Sequence, residues 1–507
     1  MSEESVMGGD CCLLTTGELV PGDVIATGLD SWYVVVRTAP ASEARTRLLL
    51  RPLRGGPDQE RLLARRDRQV VRVGRVDPAG ATGSEAPGGV RRRVVVTGLG
   101  ALTPLGADVP GLWQGLLAGR SAVGLVTGEA FEGLPVRLAA QVLLDPADLL
   151  PRPLARRLNR SAQFALLAAR EAWRDAGLDP AGTGASGLLP TRTGVSLGTI
   201  TGGAPVLVEA QRRLEERGPR AVSPFTAPMI VTSSAAAQIS LDLDIRGEAS
   251  TLVSACASGT EAVGHAVDRI REGHVDLVVA GGTEAVITPA ILASFAAMRA
   301  VSLRNDDPGS ASRPFDAERD GFVLGEGAGV LVLEAEEHAR ARGARIYCEA
   351  AGWGLSADAF HMVAPEPAGR GIEAALRAAL ADADATVADV VHVNAHATAT
   401  VEGDRAEARA LRQVLGVHTP DVPVTANKGA LGHLQGGAGG VEAIATVLAL
   451  RDGLVPPTAG CDDVEDGIAL DVVRRCPRSL PLDGDIALSN SFGFGGHNAV
   501  LAFRSIG

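Results

Sequence analysis

Residues 251–270 read TLVSACASGTEAVGHAVDRI. A short β-prone run, Thr251-Leu252-Val253, meets small residues around Cys256 and then an apolar stripe at helical spacing, Ala262, Val263, Ala266, Val267 and Ile270. The pattern predicts strand, tight turn, helix, with Cys256 at the helix start. Unpaired backbone N–H groups and the helix dipole favour an anion there. That position predicts a thiol pKa below the ordinary value of about 8.5. Two readings stay open at this point: a nucleophile that accepts an acyl group, or a buried cysteine packed as a small hydrophobe.

The same grammar extends outward. Upstream, Val94–Val96 reads as a buried strand, Ser161–Ala176 as a helix with Phe164, Leu167, Ala168 and Trp173 on one face, and Thr193–Gly198 as a strand. Downstream, Val275–Ala280 and Gly327–Leu333 read as strands. From Ala344 the alternation starts again, with strands at Tyr347–Ala351, Val390–Val393, Ile486–Leu488 and Ala499–Phe503, and helices at Gly371–Ala383, Asp404–Leu415 and Gly436–Arg451. Alternating strands and helices imply a layered α/β architecture. The restart implies two similar halves, residues 91–343 and 344–507.

The first 90 residues differ. Residues 1–12 read as a disordered tail, 13–76 as a small all-β, barrel-like domain, a barrel or half-barrel of four or five strands, and 77–90 as a flexible linker rich in Gly, Ala and Pro. Between Arg45 and Arg75, ten arginines face three acids, Asp58, Glu60 and Asp67. That block reads either as a solvated face or as a docking surface for an acidic partner.

A net charge of −12 argues against general affinity for nucleic acid or anionic membranes. Six cysteines without a CxxC pair indicate neither a disulfide framework nor a zinc site. With no apolar run of membrane-spanning length and no secretory leader, a cytoplasmic protein is expected. Among 48 basic side chains the one lysine is Lys428, a candidate for chemistry that a guanidinium cannot do.

Two further segments carry chemistry. His396 follows a buried strand in VHVNAHATAT, where α/β proteins place ligands and catalysts. His433 lies in NKGALGHLQGGAGG, five residues after Lys428; six glycines between 429 and 440 permit close approach, and the basic pair reads as suited to polarising a carbonyl. SNSFGFGGHN, residues 489–498, reads as a mobile loop whose N–H groups could form half of an oxyanion hole, with His497 structural. Taken together, these residues predict a thiol acyl-transfer site in which neutral histidines donate Nε2–H bonds to a thioester oxygen and stabilise an enolate.

From Arg91 onward the chain resembles the β-ketoacyl-acyl carrier protein synthases, in forms most like the actinobacterial elongating enzymes. The resemblance rests on SACASG at Cys256, NAHATAT at His396, KGALGH at His433, NSFGFGGHN, and NDDPGSASRPFDAERDGFVLGEGAG at 305–329. It implies a thiolase fold of two similar halves, layered α-β-α-β-α. It also implies a decarboxylative condensation of an acyl group on Cys256 with malonyl-carrier protein, in fatty acid or type II polyketide or polyene synthesis. His396 and His433 would hold the enolate, with Lys428 and its partner Glu442 in support. The backbone N–H groups of Cys256 and Phe494 would hold the oxyanion, with Phe494, Gly493 and Gly495 in the gate; Thr398, Thr400 and Phe322 would bind substrate. The resemblance implies no metal or bound cofactor, only substrates on carrier-protein phosphopantetheine, and a homodimer or a heterodimer with a related subunit. Alanines 397 and 399 replace the glycine and serine of the commoner HGTST form. The alternatives are a non-catalytic partner subunit, against which Cys256 argues, and a coenzyme A-dependent thiolase, whose second cysteine in CxGxG is replaced here by FGFGG.

Overall fold

The computed structural model describes six strands within residues 12–75, then residues 91–481 and 483–506. The chain divides into two compact units, Met1–Arg91 and Arg92–Gly507.

In the first unit, β1 (Cys12–Leu14), β2 (Asp23–Ala26), β3 (Trp32–Ser42), β4 (Arg45–Pro52), β5 (Gln59–Ala64) and β6 (Val70–Arg75) pair antiparallel in the order β1-β6-β2-β3-β4-β5. Six strands replace the expected four or five. Among the described residues no pairing joins β1 to β5. The expected tail, but for Cys12, and the expected linker lie outside the described residues.

The second unit is built on one sheet of eleven strands among the described residues. These are β7 (Val94–Leu102), β8 (Thr193–Gly198), β9 (Glu248–Leu252), β10 (Leu277–Glu284), β11 (Gly327–Ala335), β12 (Cys348–Ala357), β13 (Val390–Asn394), β14 (Pro423–Thr425), β15 (Asp471–Val472), β16 (Ile486–Gly493) and β17 (His497–Arg504). The order is β9-β8-β10-β11-β7-β12-β17-β16-β13-β14-β15. Only Val95 and Val96 of β7 meet β12, at Glu349 and Cys348, so the sheet is narrowest where the halves join.

Helices cover both outer faces and fill the middle. Helix α1 (Arg160–Asp175) packs on β7, β10 and β11, with Phe164, Ala168 and Trp173 buried. On the opposite side α3 (Arg370–Asp382) packs on β12 and β17 and against α4 (Val401–Leu415). Between them lie α2 (Ser258–Arg271), which touches β8, β10 and β17, and α5 (Ala438–Asp452), which touches β10, β11 and β16. The result is the expected five-layer α-β-α-β-α stack.

Apolar α5, AGGVEAIATVLALRD, is buried from Ala438 to Ala449, as a helix at the centre of a large protein must be. The central helices meet almost backbone to backbone. A Cβ on Gly259 would lie 2.9 Å from Gly436 O, and one on Gly439 would lie 2.4 Å from Thr260 N. The glycines of the 429–440 segment thus serve helix–helix approach, which brings Cys256 and His433 within one site.

Candidate active site

Cys256 sits two residues before the first turn of α2, as the strand–turn–helix reading expects. Ala255 takes a left-handed φ of 51°, a costly conformation for alanine. Ser258 holds the turn: its Oγ donates to Ala255 O at 2.6 Å and accepts Ser254 N–H at 2.9 Å. Cys256 is 5% exposed. Burial pushes its thiol up to about 11, although Lys428 and hydrogen bonds from the backbone N–H groups of Phe494 and Cys256 itself pull the other way. The expected depression of this pKa is therefore wrong. The N–H groups do face the sulfur, but loss of water around a thiolate costs more than they return.

His396 follows β13, and the turn is anchored by a carboxylate: Glu407 of α4 accepts His396 N–H at 2.9 Å and Ala397 N–H at 2.7 Å. Asn490 Nδ2 donates to the same carboxylate at 2.9 Å. The rings of His396 and His433 meet edge to face, 5.4 Å between centroids. Gln435 N–H donates to His433 Nδ1 at 3.3 Å, which leaves the proton on Nε2, a buried donor with no partner among the described residues. Burial lowers both histidines well below the ordinary value, and Lys428 lowers them further; both are neutral near pH 7.

Lys428 is 1% exposed and its ammonium is paired with Glu442. Burial raises Glu442, and the lysine opposes that rise. Lys428 is absent from the cavity wall, and its charge adds to burial in lowering both histidines.

A cavity of about 430 Å³ opens above the sulfur, lined by Cys256, His396, His433, Phe322, Thr398, Thr400 and Phe494 among others. Phe322 stands edge-on to His433 with centroids 5.6 Å apart. The Thr398 and Thr400 hydroxyls lie 3.0 Å apart. Gly493 borders the cavity where no side chain fits, since a Cβ would lie 2.7 Å from Ser254 O and 3.0 Å from Cys256 N. Gly495 is not in the wall; its N–H donates to Met362 O at 2.7 Å and holds the loop. His497 is exposed at the start of β17 and also stands outside the wall.

Sequence reasoning missed Glu407, Asn490, Gln435, Phe492 and Glu284. Phe492 lines the cavity and packs against His396, 5.7 Å between centroids. Glu284, fully buried, accepts Ile200 N–H at 2.7 Å and the Thr199 and Thr201 hydroxyls at 3.2 and 3.0 Å. A signal existed for Glu407: with Leu411 and Val414 it occupies the apolar face of the predicted helix, where an acid requires partners.

Comparison with known proteins completes the picture. In fold, the chain superposes with a TM-score of 0.75 on the ishigamide ketosynthase/chain length factor, at 34% identity over 82% of this chain and all of that one. With a TM-score of 0.76 it superposes on a ketosynthase structure described as a type II PKS acyl-carrier protein in complex with its ketosynthase bound to the hexaketide, at 31% identity over 82% of this chain and all of that one. In sequence, residues 91–339 match the β-ketoacyl synthase N-terminal domain and residues 347–462 the C-terminal domain. A 3-oxoacyl-[acyl-carrier-protein] synthase 2 of Synechocystis sp. is 43% identical over 415 residues, 82% of this chain and 98% of the relative. The architecture is that of the thiolase superfamily. Within it, the chain belongs to the β-ketoacyl synthase family, among the elongating ketosynthases.

Proposed function

We propose that the protein extends an acyl chain by two carbons, through decarboxylative condensation of an acyl group on Cys256 with a malonyl group on carrier-protein phosphopantetheine. The observation that carries this reading is a buried cysteine under two N–H donors, opposite two neutral histidines, in one cavity. The sulfur attacks the acyl thioester; the tetrahedral oxyanion accepts from the N–H groups of Cys256 and Phe494. Collapse breaks the old C–S bond, and the departing carrier thiol leaves with the proton that Cys256 gives up.

The malonyl thioester then enters between Phe322 and the threonine pair. Its carboxylate leaves as carbon dioxide, and the remaining electron pair delocalises onto the thioester oxygen, which accepts hydrogen bonds from the two histidines. Because they start neutral, they donate without first losing a charge. The enolate carbon attacks acyl-Cys256, the C–C bond forms, and collapse expels the sulfur. Lys428, tied to Glu442, keeps the histidines unprotonated. Gly493, Phe494 and Gly495 form the gate over the thiol.

A second ketosynthase-like subunit, identical or related, belongs to the same reading. Among the described residues edge strand β9 has one neighbour, and Val253, just past it, and Leu241, on the helix Ser234–Leu243 that packs against it, are exposed. No described helix is long and apolar enough to cross a membrane, and cysteine usage supports a cytoplasmic setting.

The test is intact-mass spectrometry of the enzyme offered acyl-carrier proteins, with and without malonyl-carrier protein. The expected result is one acyl adduct, lost in Cys256→Ala together with all β-ketoacyl product. Product from Cys256→Ala would reject the assignment.

A further inference from the structure

The cavity wall holds a polar group for which condensation, as set out above, has no use. Gln435 lines the cavity and is 5% exposed, and its Oε1 accepts from the Cys256 thiol at 4.0 Å. A thiol is a weak donor, yet among the described residues this is the only hydrogen bond that the side-chain amide makes. The two histidines serve the malonyl thioester oxygen, and the threonine pair borders the entering malonyl group. The Gln435 amide serves neither.

The backbone holds this side chain in place at a cost. Gln435 takes a left-handed φ of 53°, in a segment where Gly432, Gly436 and Gly437 stand close by in sequence. The next position admits no side chain, since a Cβ on Gly436 would lie 2.8 Å from Glu284 Oε2 and 2.8 Å from Ile200 N. A buried amide also gives up water for a single thiol contact, a loss that leucine would avoid. Strain and desolvation together at a cavity wall point to a ligand for the amide.

Acylation defines that ligand. The thiol proton leaves with the carrier thiol, so on the acyl-enzyme Oε1 has lost its donor and faces sulfur lone pairs. A half-turn about the last torsion of the side chain presents Nε2–H instead, an easy motion for a terminal amide. In the condensing reading the thioester oxygen belongs to the N–H groups of Cys256 and Phe494. Two-carbon extension leaves oxygens on odd-numbered carbons, so the next acceptor along the chain is an oxygen on the third acyl carbon. A staggered chain places it at about the amide's distance from sulfur.

We propose that Gln435 reads the third carbon of the acyl group on Cys256, favouring 3-oxoacyl and 3-hydroxyacyl chains over fully reduced ones. The proposal rests on the condensing reading above and names a substrate class for it. A methylene at the third carbon leaves the amide buried and unpaired, whereas an oxygen satisfies it; sites built to hydrogen-bond a substrate reject analogues through this asymmetry. The reaction that supplies such a substrate is a preceding condensation, followed at most by reduction of the ketone to an alcohol.

The experiment follows acylation of Cys256 by intact mass, without malonyl-carrier protein, in the parent, Gln435→Leu and Gln435→Met. Hexanoyl, 3-oxohexanoyl, 3-hydroxyhexanoyl and 5-oxohexanoyl groups are offered on the carrier protein. Both substitutions keep the backbone N–H that fixes His433, and methionine keeps the length of the side chain should the leucine variant fail to fold. Because a 3-oxo group activates its own thioester, the readout is the change in each rate ratio between parent and variant. The ratios of 3-oxohexanoyl and of 3-hydroxyhexanoyl to hexanoyl are expected to fall about tenfold in the variants. The ratio of 5-oxohexanoyl to hexanoyl should move by less than about twofold.

Unchanged ratios overturn selection by Gln435 and leave the condensing reading intact. Equal slowing of every group overturns it too, since a structural defect would not distinguish them. An equal fall for the 5-oxo group would make Gln435 a general polar contact and strike the third-carbon assignment. A fall confined to the 3-oxo or the 3-hydroxy group upholds the proposal for that oxidation level. A parent enzyme that takes none of the groups from the carrier fails the condensing reading, and this proposal with it.

Discussion

Numbered within each half of the catalytic unit, the strands of residues 92–343 lie in the order 3-2-4-5-1, and so do those of residues 344–506, with β15 added at the edge. Directions agree as well: the second strand runs parallel to the third and fourth, and the fifth is antiparallel to the fourth and the first. In both, a buried carboxylate holds the turn after the second strand, Glu284 through Ile200 N–H and Glu407 through His396 N–H. The differences hang on that shared frame. Where one half has Ile200 the other has His396. The first half inserts residues 285–326 between its fourth and fifth strands, which supplies Phe322; the second joins them by the tight loop that carries Phe494. Duplication supplies positions around one centre, and divergence at strand ends supplies the chemistry.

Removal of a histidine should break this division most sharply. His396→Ala and His433→Ala are each expected to slow malonyl decarboxylation by about 10²–10³, the usual effect of losing one preorganised donor to a developing oxyanion. Acyl loading of Cys256, a task of the first half, should persist, and carbon dioxide release alongside intact mass would separate the two. Equal loss of loading and decarboxylation would mean that the halves do not divide the work.

The two anchoring carboxylates sharpen the point. Glu407→Gln keeps the shape but weakens a charge-assisted clamp on the His396 turn, and should cost roughly tenfold in decarboxylation. Glu284→Gln lies on the other side of the pseudo-symmetry and should leave decarboxylation near the parent value. Its signature is at the thiol: Glu284 raises the Cys256 pKa, so iodoacetamide should alkylate the variant faster, by a few fold at pH 8. Lys428→Met, which removes a cation that lowers the same pKa, should slow alkylation. In the parent, with the thiol near 11, the rate should climb through pH 10 without a plateau.

Legibility in the sequence followed the range of the interaction. Cys256, His396 and His433 stand out because strand ends and small-residue turns are local patterns. The restart at Ala344 was visible too, but the equal strand order was not, since it depends on pairing between distant segments. Glu407 left a signal, an acid on the apolar face of a predicted helix, but the group it holds, the His396 turn, depends on the packing of α4 against a distant segment. The thiol pKa was misjudged for the same reason: dipole and N–H groups are local, whereas the burial that outweighs them is tertiary.

The smallest expected effect concerns a residue with no part in the chemistry. Four residues before Ile200 on the second strand of the first half, Ser196 Oγ donates to Ala262 O at 2.8 Å. Four residues before His396, His392 is 1% exposed and neither ring nitrogen has a partner among the described residues. Burial lowers its pKa to about 3. In the unfolded chain the same ring titrates near 6.5. Between these values the unfolded state binds a proton that the native state refuses, so stability falls as pH drops below 6.5 and the loss continues until about 3. His392→Leu removes that linkage while every other group titrates as before. Between pH 6 and pH 4, denaturant titrations should show the parent losing about 1.4 kcal/mol per pH unit more than the variant. Near pH 8 the two should differ only by packing. Parallel stability–pH curves would mean that the second half hides a partner for His392, as the first half provides one for Ser196.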